Sequence, residues 1–447
     1  MEIKKVLVAN RGEIAVRIIR ACHELDLEAV AVYSEADREA LHVELADESY
    51  CIGPTSSTDS YLNVANIMTV AINGGVDAIH PGYGFLAENA SFAEICEDNN
   101  ITFIGPSKAS IDQMGIKDVA RETMREAGVP VVPGSNGIIE TKEQAVELAS
   151  EIGYPVIIKA TAGGGGKGIR VVKEEQELVK AINVTQQEAS KAFGNPGVYI
   201  EKFIENFRHI EIQILADNHG NVVHLGERDC SIQRRMQKLV EETPSPALDQ
   251  SIRNEMGEAA VRAAKAVNYS GAGTVEFIYD ENDHFYFMEM NTRIQVEHPV
   301  TEMVTGVDLI KEQIKVADND VLSVTQEDIA LTGWSMECRI NAEDPDQNFM
   351  PSAGKVETYL PPGGFGIRVD SAVYQGYVIP PFYDSMVAKL ITYGATREEA
   401  MQRMKRALSE FKIKGIKTTI PFHQKLLKHE KFAEGDFNTK FLEIYEL

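Results

Sequence analysis

The segment YPVIIKATAGGGGKGIRVV, residues 154–172, consists of two apolar, strand-like runs joined by glycines, and it decides the class of fold. A P-loop needs Ser or Thr after its lysine and then a helix, whereas Gly168 and a strand follow here. The formal GxGxxG match at 163–168 lacks the helix of a dinucleotide site, and a kinase lysine follows its glycine loop instead of preceding it. The segment predicts a glycine hairpin able to fold over phosphates, with an ordinary flexible loop as the alternative.

Two lysines near this hairpin are candidates for phosphate contacts. Lys159 ends the first apolar run, and a lysine that leaves a buried strand needs an anion nearby. Snorkelling of its ammonium to solvent is the alternative. Lys117 begins a predicted helix, where a cation is unfavourable unless it faces a ligand phosphate, and an ordinary surface lysine is the alternative.

The segment EMNTRIQVE, residues 289–297, carries a second signal. If it is extended, its polar residues point to one face and its apolar residues to the other, since side chains alternate along a strand. The flanking FYFM and HPV are apolar, so we expect this polar face to be a buried site instead of a solvated edge strand. Glu276 lies on the preceding strand-like run, and the turn at 280–283 makes the two runs antiparallel neighbours. Glu276, Glu289 and Asn291 then offer hard oxygen ligands suited to Mg²⁺; a surface pair of acids is the alternative.

Further candidates lie between these two signals. The chain leaves a predicted strand at 201–204, where its backbone could meet an adenine edge, and His209 could contact ribose or phosphate. A structural role is the alternative for His209. The run ERDCSIQRRMQK, residues 227–238, is basic in an acidic protein, so it forms either a solvated face or the positive pocket of an anionic substrate.

Composition narrows the function classes. The chain has 447 residues, 44 Lys plus Arg and 68 Asp plus Glu, and a net charge of −24. Such a charge disfavours binding to nucleic acid or anionic membranes. We find no apolar run of about 18 residues and no signal peptide or transit leader. Five dispersed cysteines fit neither a zinc site nor a disulfide framework, so we expect a cytoplasmic protein.

The organisation is that of several domains. Strand and helix signals alternate through the first hundred residues, which predicts a Rossmann-like parallel α/β unit, and the turn at 10–13 lacks a dinucleotide fingerprint. Later segments mix strands and helices. We expect an α/β and α+β multidomain chain, with domains at 1–114, 115–330 and 331–447.

Taken together, the motifs resemble those of the biotin carboxylase family, the ATP-grasp component of acetyl-CoA carboxylase and related biotin-dependent enzymes. The matching segments span the chain: 9–21, 80–89, 159–168, 208–213, 227–238, 289–302 and 337–345. The resemblance implies a Rossmann-like N-terminal domain, an ATP-grasp domain with a glycine-rich lid at about 132–203, and a C-terminal biotin carboxylase domain. It implies that ATP and bicarbonate carboxylate biotin on biotin carboxyl carrier protein through carboxyphosphate, with two Mg²⁺ or Mn²⁺ ions.

The resemblance also implies residue roles. The nucleotide-binding positions are Lys117, Lys159, Gly165, Gly166, Glu201, Lys202, Ile204, His209, Gln233, Glu276 and Glu289. The metal ligands are Glu276, Glu289 and Asn291. The bicarbonate and biotin positions are Lys238, Arg293, Gln295, Val296 and Arg339, with Glu297 as the base and with Arg293, Glu297, Lys238 and Arg339 as catalytic residues. Met236 stands where the family pattern has histidine, so that nucleotide contact is not carried over.

Three functional hypotheses remain. In the first, the chain is a biotin carboxylase subunit of acetyl-CoA carboxylase, at the start of fatty acid synthesis, or of another acyl-CoA carboxylase. The chain ends at Leu447 without a carboxyltransferase or a biotinylation motif, so we expect separate carrier and carboxyltransferase subunits; a homodimer is implied by the family alone. In the second, it is another ATP-grasp ligase, which would not need Arg339. In the third, it is a nucleotide-binding regulatory subunit, which would need no base at Glu297.

Overall fold

The computed structural model describes residues 2–161 and 168–447, so the predicted lid glycines Gly165 and Gly166 lie outside the described residues. The chain forms two compact units. Unit 1 comprises Met1–Asp112, Arg208–Glu276 and Met290–Leu447, and unit 2 comprises Gln113–Phe207 and Phe277–Glu289. Across the two described ranges, every helix is too short or too polar to cross a lipid bilayer.

The N-terminal part of unit 1 is the predicted doubly wound sheet. Its elements are β1 (Lys5–Val8), α1 (Gly12–Glu24), β2 (Glu28–Ser34), α2 (Leu41–Leu45), β3 (Glu48–Gly53), α3 (Val64–Asn73), β4 (Ala78–His80), α4 (Ala90–Asp98), β5 (Thr102–Phe103) and α5 (Lys108–Gly115). All five strands are parallel, in the order β3-β2-β1-β4-β5. The sequence missed β3 because ESYCIG is largely polar and only partly buried, so it lacks the apolar run of a central parallel strand.

Unit 2 contains the predicted hairpin. Its elements are α6 (Lys117–Glu126), α7 (Lys142–Ile152), β6 (Val156–Ala160), β7 (Ile169–Val172), α8 (Glu175–Phe193) and β8 (Val198–Lys202). β7 and β8 flank β6, both antiparallel to it. The two strands predicted around the glycines are therefore confirmed. The predicted exit from the sheet was two residues early, because Glu201 and Lys202 still pair with β6.

The second sheet of unit 1 carries most of the chemistry. Its first elements are β9 (Phe207–Ala216), β10 (Val222–Arg234), β11 (Gln237–Thr243), α9 (Gln250–Ala266), β12 (Gly271–Asp280) and β13 (Phe285–Asn291), followed by α10 (His298–Thr305) and α11 (Leu309–Ala317). After Glu276 the β12–β13 hairpin carries the chain into unit 2, and the chain returns to unit 1 at Met290.

The expectation of a continuous strand over 289–297 was wrong. β13 ends at Asn291, and the chain then turns until α10 begins at His298. Pro299 in the first turn of α10 favours the start of this helix, since proline fits a helix N-terminus and cannot donate within a strand. The polar residues 293–297 therefore lie on a loop, where they nevertheless remain largely buried.

The C-terminal part of unit 1 completes this sheet. Its elements are β14 (Trp334–Asn341), β15 (Glu343–Asp344), β16 (Met350–Pro351), β17 (Gly354–Lys355), β18 (Thr358–Leu360), β19 (Ile367–Ser371), β20 (Val378–Ile379), β21 (Met386–Gly394), α12 (Arg397–Glu410), β22 (Lys412–Lys414), α13 (Ile420–Leu426), α14 (Glu430–Glu434) and α15 (Phe441–Ile444). Within unit 1 the strand order is β12-β9-β10-β11-β14-β21-β19. One face of β14, with Met336, Cys338 and Ile340, packs into the apolar core, which leaves its other face for polar side chains.

Candidate functional site

The ammonium group of Lys238 lies among three carboxylates. It donates to Oε2 of Glu211 at 2.6 Å, to Oε1 of Glu276 at 2.9 Å and to Oε1 of Glu297 at 2.6 Å. Strands β9, β11 and β12 of one sheet and the residue before α10 place these four side chains, which we call the Lys238 cluster. All three carboxylates are buried. The sheet thus holds one ammonium group and three carboxylates together in a buried place.

Electrostatics fixes the charge states in this cluster. Burial alone would lower the pKa of Lys238, but Glu211, Glu276 and Glu297 outweigh it and raise that pKa well above its usual value. Burial alone would raise the pKa of Glu297, but Lys238 and Arg339 hold it well below the usual range. Lys238 and the nearby His209 likewise hold the pKa of Glu276 well below its usual range. Lys238, Glu276 and Glu297 are therefore charged at neutral pH.

A buried arginine supports the cluster from behind. Arg228 has no exposed surface, and its guanidinium donates to Glu211, to Gln213 at 2.6 Å and to Oε1 of Gln295 at 2.8 Å. Gln295 in turn donates through Nε2 to Glu276 at 2.8 Å. Every one of these groups has its own partner, so side-chain positions are strongly restricted.

Two further predicted arginines also meet carboxylates or amides. Arg339 donates through Nε to Oε1 of Glu241 at 2.6 Å and through Nη2 to Oε2 of Glu297 at 3.0 Å. Arg293 donates to Oδ1 of Asn291 at 2.8 Å and to Glu88 at 2.9 Å. Arg339 and Lys238 therefore hold opposite oxygens of Glu297, which lies between two cations.

The other predicted residues of unit 1 surround this cluster. His209 Nε2 lies 3.0 Å from Oε2 of Glu276. Gln233 on β10 pairs with Lys238 on β11. The carbonyl of Val296 accepts a hydrogen bond from Lys389 at 2.9 Å, which fixes the loop before α10. The structure thus brings together the bicarbonate, biotin and base positions that the sequence analysis identified.

Unit 2 holds a smaller charged group. Lys159 Nζ lies 2.6 Å from Oε2 of Glu201, and Arg121 Nε lies 3.2 Å from Oε1 of the same carboxylate. Lys202 instead donates to the carbonyls of Gly153 and Tyr154 after α7, which is a structural role. The remaining predicted residues of unit 2 lie as follows: Lys117 is the exposed first residue of α6, Ile204 is half-buried after β8, and Glu289 is exposed on β13.

Met236 occupies the tip of the β10–β11 hairpin. Arg234 pairs with Gln237, so Arg235 and Met236 form a two-residue turn, with φ of 49° and 65°. The Met236 side chain is 88% exposed. It therefore makes no contribution to the Lys238 cluster, in keeping with its omission from the predicted site.

The sequence analysis missed several residues of the site. Glu211 and Gln213 share a face of β9 with His209, and this alternation was visible in RHIEIQ. Glu88 lies in the quoted segment 80–89, but its contact with Arg293 spans 205 residues. Glu241 gave no local signal, because only the strand order shows that it faces Arg339.

Three family models match the chain. They are the biotin carboxylase N-terminal domain at 2–111, the ATP-binding domain of the carbamoyl-phosphate synthase L chain at 117–325, and the biotin carboxylase C-terminal domain at 337–444. Biotin carboxylase 1 of Bacillus subtilis (strain 168) is 73% identical over 446 residues, which cover 100% of this chain and 99% of that relative. The chain belongs to the biotin carboxylase family.

Solved biotin carboxylases have the same fold. The Campylobacter jejuni enzyme, crystallised as a complex with β,γ-ATP, matches with a TM-score of 0.93 at 51% identity over 99% of both chains. The biotin carboxylase domain dimer of the Hydrogenobacter thermophilus 2-oxoglutarate carboxylase, with MgADP, ADP and bicarbonate, has a TM-score of 0.91 at 54% identity, covering 99% of this chain and 98% of that one. Family membership makes the chain an ATP-dependent ligase that carboxylates biotin, and it confirms the predicted fold class. Biotin carboxylases work with a biotin carrier and a carboxyltransferase.

Proposed function

We propose that the chain carboxylates biotin on a carrier protein by using the Lys238 cluster to bind and deprotonate bicarbonate. The observation that carries this proposal is the position of Glu297 between Lys238 and Arg339. In a chain of net charge −24, a bicarbonate anion needs such a local concentration of cations. Lys238, Arg293, Gln295 and the backbone at Val296 supply donors for its oxygens.

Glu297 is the proposed base. Its pKa is lowered by Lys238, Arg339 and Arg228, which makes it a weak base as long as no bound anion offsets these cations. A bicarbonate anion bound among the same cations adds a negative charge, which raises the pKa of Glu297 and improves it as a proton acceptor. The resulting nucleophile attacks the γ-phosphorus of ATP, giving carboxyphosphate and ADP. Cationic side chains in the site stabilise the charge that spreads over the transferring group.

The second stage is carboxyl transfer to biotin. Carboxyphosphate releases CO₂ and phosphate, and the phosphate takes the proton from N1 of biotin. Arg339 stabilises the biotin enolate, which then attacks CO₂ to give carboxybiotin. The two carboxylates that hold Arg339 fix the direction of its free N–H groups.

The nucleotide and metal roles are carried over from the family resemblance. The proposed nucleotide positions are Lys117, Lys159, Glu201, Lys202, Ile204, His209 and Gln233, with the lid glycines. The Lys202 side chain bonds the end of α7, so its proposed contact with the nucleotide is through the backbone. Glu276, Glu289 and Asn291 are the proposed Mg²⁺ ligands, and a bound Mg²⁺ supplies charge neutralisation at the phosphates. The residues fit this role, because they offer two carboxylates and an amide whose buried Nδ2 has no hydrogen-bond partner among the described residues.

The domain boundaries, the partners and the compartment are also proposals. We infer three domains at 1–114, 115–330 and 331–447, a homodimer, and partnership with a biotin carrier and carboxyltransferase subunits in the cytoplasm. Acetyl-CoA is the proposed final acceptor. Another acceptor is the second candidate, because the Hydrogenobacter thermophilus relative belongs to a 2-oxoglutarate carboxylase.

ADP release by the purified chain tests the function. With Mg²⁺ and ATP, we expect bicarbonate-dependent ADP release that free biotin strongly stimulates. Arg339→Ala should remove the stimulation by biotin and preserve ATP binding, whereas Arg406→Ala, on the exposed side of α12, should behave like the unmodified chain. Bicarbonate-dependent hydrolysis that ignores biotin would contradict the proposal and favour another ATP-grasp ligase. ATP binding without hydrolysis would favour a regulatory subunit.

A further inference from the structure

A pair of buried carboxylates lies directly behind Arg339. β11 and β14 are antiparallel, and their register places Glu241 opposite Glu337. Both side chains have no exposed surface. Glu337 and Arg339 share one face of β14, since they are two residues apart on a strand. The pair therefore belongs to the same buried polar layer as the guanidinium that the proposed function assigns to biotin.

The hydrogen bonds of this pair are incomplete. Oε1 of Glu241 accepts from Arg339, but Oε2 of Glu241 and both oxygens of Glu337 have no hydrogen-bond partner among residues 2–161 and 168–447. In that part of the chain Glu337 also makes no ion pair. The nearby cations have other partners. Arg339 pairs with Glu241 and Glu297, and Lys389 pairs with Glu13 and donates to the Val296 carbonyl.

Ionisation of both carboxylates at opposed, fully buried positions is strongly unfavourable. Directly opposed residues on antiparallel strands have Cβ atoms about 4.5–5.5 Å apart, and like charges there are destabilising. A carboxyl group that keeps its proton can instead donate to an ionised neighbour, as happens when two carboxylates occupy one site. Oε2 of Glu241 is the unused acceptor on the neighbouring strand.

The charged and titratable groups around Glu241 and Glu337 favour a state in which the pair keeps one proton. Burial raises the pKa of Glu337 well above its usual value, and Glu241 and Glu297 add to this while Lys389 and Arg339 oppose it. Burial and the charge of Glu297 raise the pKa of Glu241 to about 7, although Arg339 and Lys238 lower it. The thiols of Cys230 and Cys338 are also near, and burial raises their pKa values too, so they remain neutral.

We propose that Glu241 and Glu337 share one proton and act as positioning residues that hold Arg339 beside Glu297. With that proton present, Glu241 and Glu297 each contribute one negative charge to the guanidinium, which stays oriented between them. Loss of the proton leaves two negative charges on Glu241 and Glu337. Their stronger attraction draws the Arg339 guanidinium away from Glu297. The inference rests on the role proposed for Arg339, and it predicts that carboxyl transfer to biotin fails at alkaline pH before bicarbonate activation does.

The decisive variant is Glu337→Gln, which keeps the shape of the protonated acid and cannot ionise. Biotin-dependent ADP release should lose rate at alkaline pH in the unmodified enzyme, and Glu337→Gln should move this loss upward by at least about one pH unit. Glu241→Gln removes the carboxylate that holds Arg339, so we expect about a 100-fold lower biotin-dependent kcat with an unchanged KM for ATP. Ser335→Ala is the matched control, because Ser335 lies on the same face of β14 and, among the described residues, its hydroxyl bonds only the Thr392 carbonyl.

Infrared difference spectroscopy gives a readout that is independent of activity. The unmodified enzyme should show a protonated-carboxyl band near neutral pH that Glu337→Gln lacks and Ser335→Ala retains. Absence of that band, or an alkaline loss that Glu337→Gln leaves in place, would overturn the proposal. Full biotin-dependent activity in Arg339→Ala would instead overturn the role of Arg339, while the infrared result would still decide whether the proton is shared.

Discussion

At the scale of single residues, the site depends on side chains whose charge is set by neighbours from other strands. Lys238 is an ordinary lysine in the sequence, but three buried carboxylates make it a permanent cation. Glu297 is held as an anion by Lys238 and Arg339, and so it can act as a base only when a bound anion shares those cations. The chemistry of each residue is therefore a property of the group around it.

Met236 offers a residue-scale test of backbone strain. A two-residue hairpin turn with φ > 0 at both positions favours Asn-Gly, whereas Arg235-Met236 occupies it here. Met236→Gly removes a left-handed side chain that makes no buried contact, so we expect a rise of about 0.5–1 kcal/mol in the free energy of unfolding. Urea denaturation measures it. Met350→Gly is the control, at another exposed methionine on an extended strand, and it should lower the free energy of unfolding. If both variants lower the free energy of unfolding, the turn is not strained.

At the scale of elements, β14 is held in place by the segment that leads into α13. The carbonyl of Arg339 accepts from Oγ1 of Thr419 at 2.8 Å and from Nε2 of His423 at 2.8 Å. Because a carbonyl can only accept, Nε2 of His423 carries a proton. Burial lowers the pKa of His423 to about 4, so the ring is neutral at neutral pH. The backbone beneath the guanidinium of Arg339 is thus fixed by two donors from one neighbouring element.

His423 should make the enzyme sensitive to acid. Burial lowers its pKa from 6.5 to about 4, so the folded state binds this proton less readily than the unfolded state. The stabilisation is present above pH 6.5 and is lost as the pH falls through about 4, a difference of about 3 kcal/mol. His423→Gln keeps a donor at the position of Nε2 without titrating, and it should flatten unfolding free energy against pH in this window. Unfolding curves with the same slope in both proteins would contradict the assignment; the remaining slope belongs to other buried histidines, such as His80.

At the scale of the whole molecule, the excess of negative charge shapes stability and ligand choice together. A net charge of −24 repels anions in general, so only the cations gathered around Glu297 make a bicarbonate site credible. The same excess destabilises the compact chain by self-repulsion.

Salt should therefore stabilise the protein. At 0.15 M ionic strength the Debye length is about 8 Å, which screens repulsion between exposed carboxylates but affects buried pairs much less. Without Mg²⁺ or nucleotide, we expect the midpoint of thermal unfolding to rise as NaCl increases from near zero to that strength. KCl should have an equal effect, since screening depends on ionic strength. A falling midpoint would mean that attractive exposed pairs outweigh the net charge.

The sequence by itself determined the parallel N-terminal sheet, the β6–β7 hairpin and most residues of the site, because apolar periodicity and short motifs are local. It failed over 292–297, where the strand prediction ignored the helix start at His298-Pro299. Only the tertiary structure decided that Glu211 on β9 contacts Lys238 on β11, and that Glu241 on β11 lies opposite Glu337 and bonds Arg339 on β14. The physical reason is that strand order is a long-range property, and a low-dielectric interior sets which of the gathered carboxylates keep their protons.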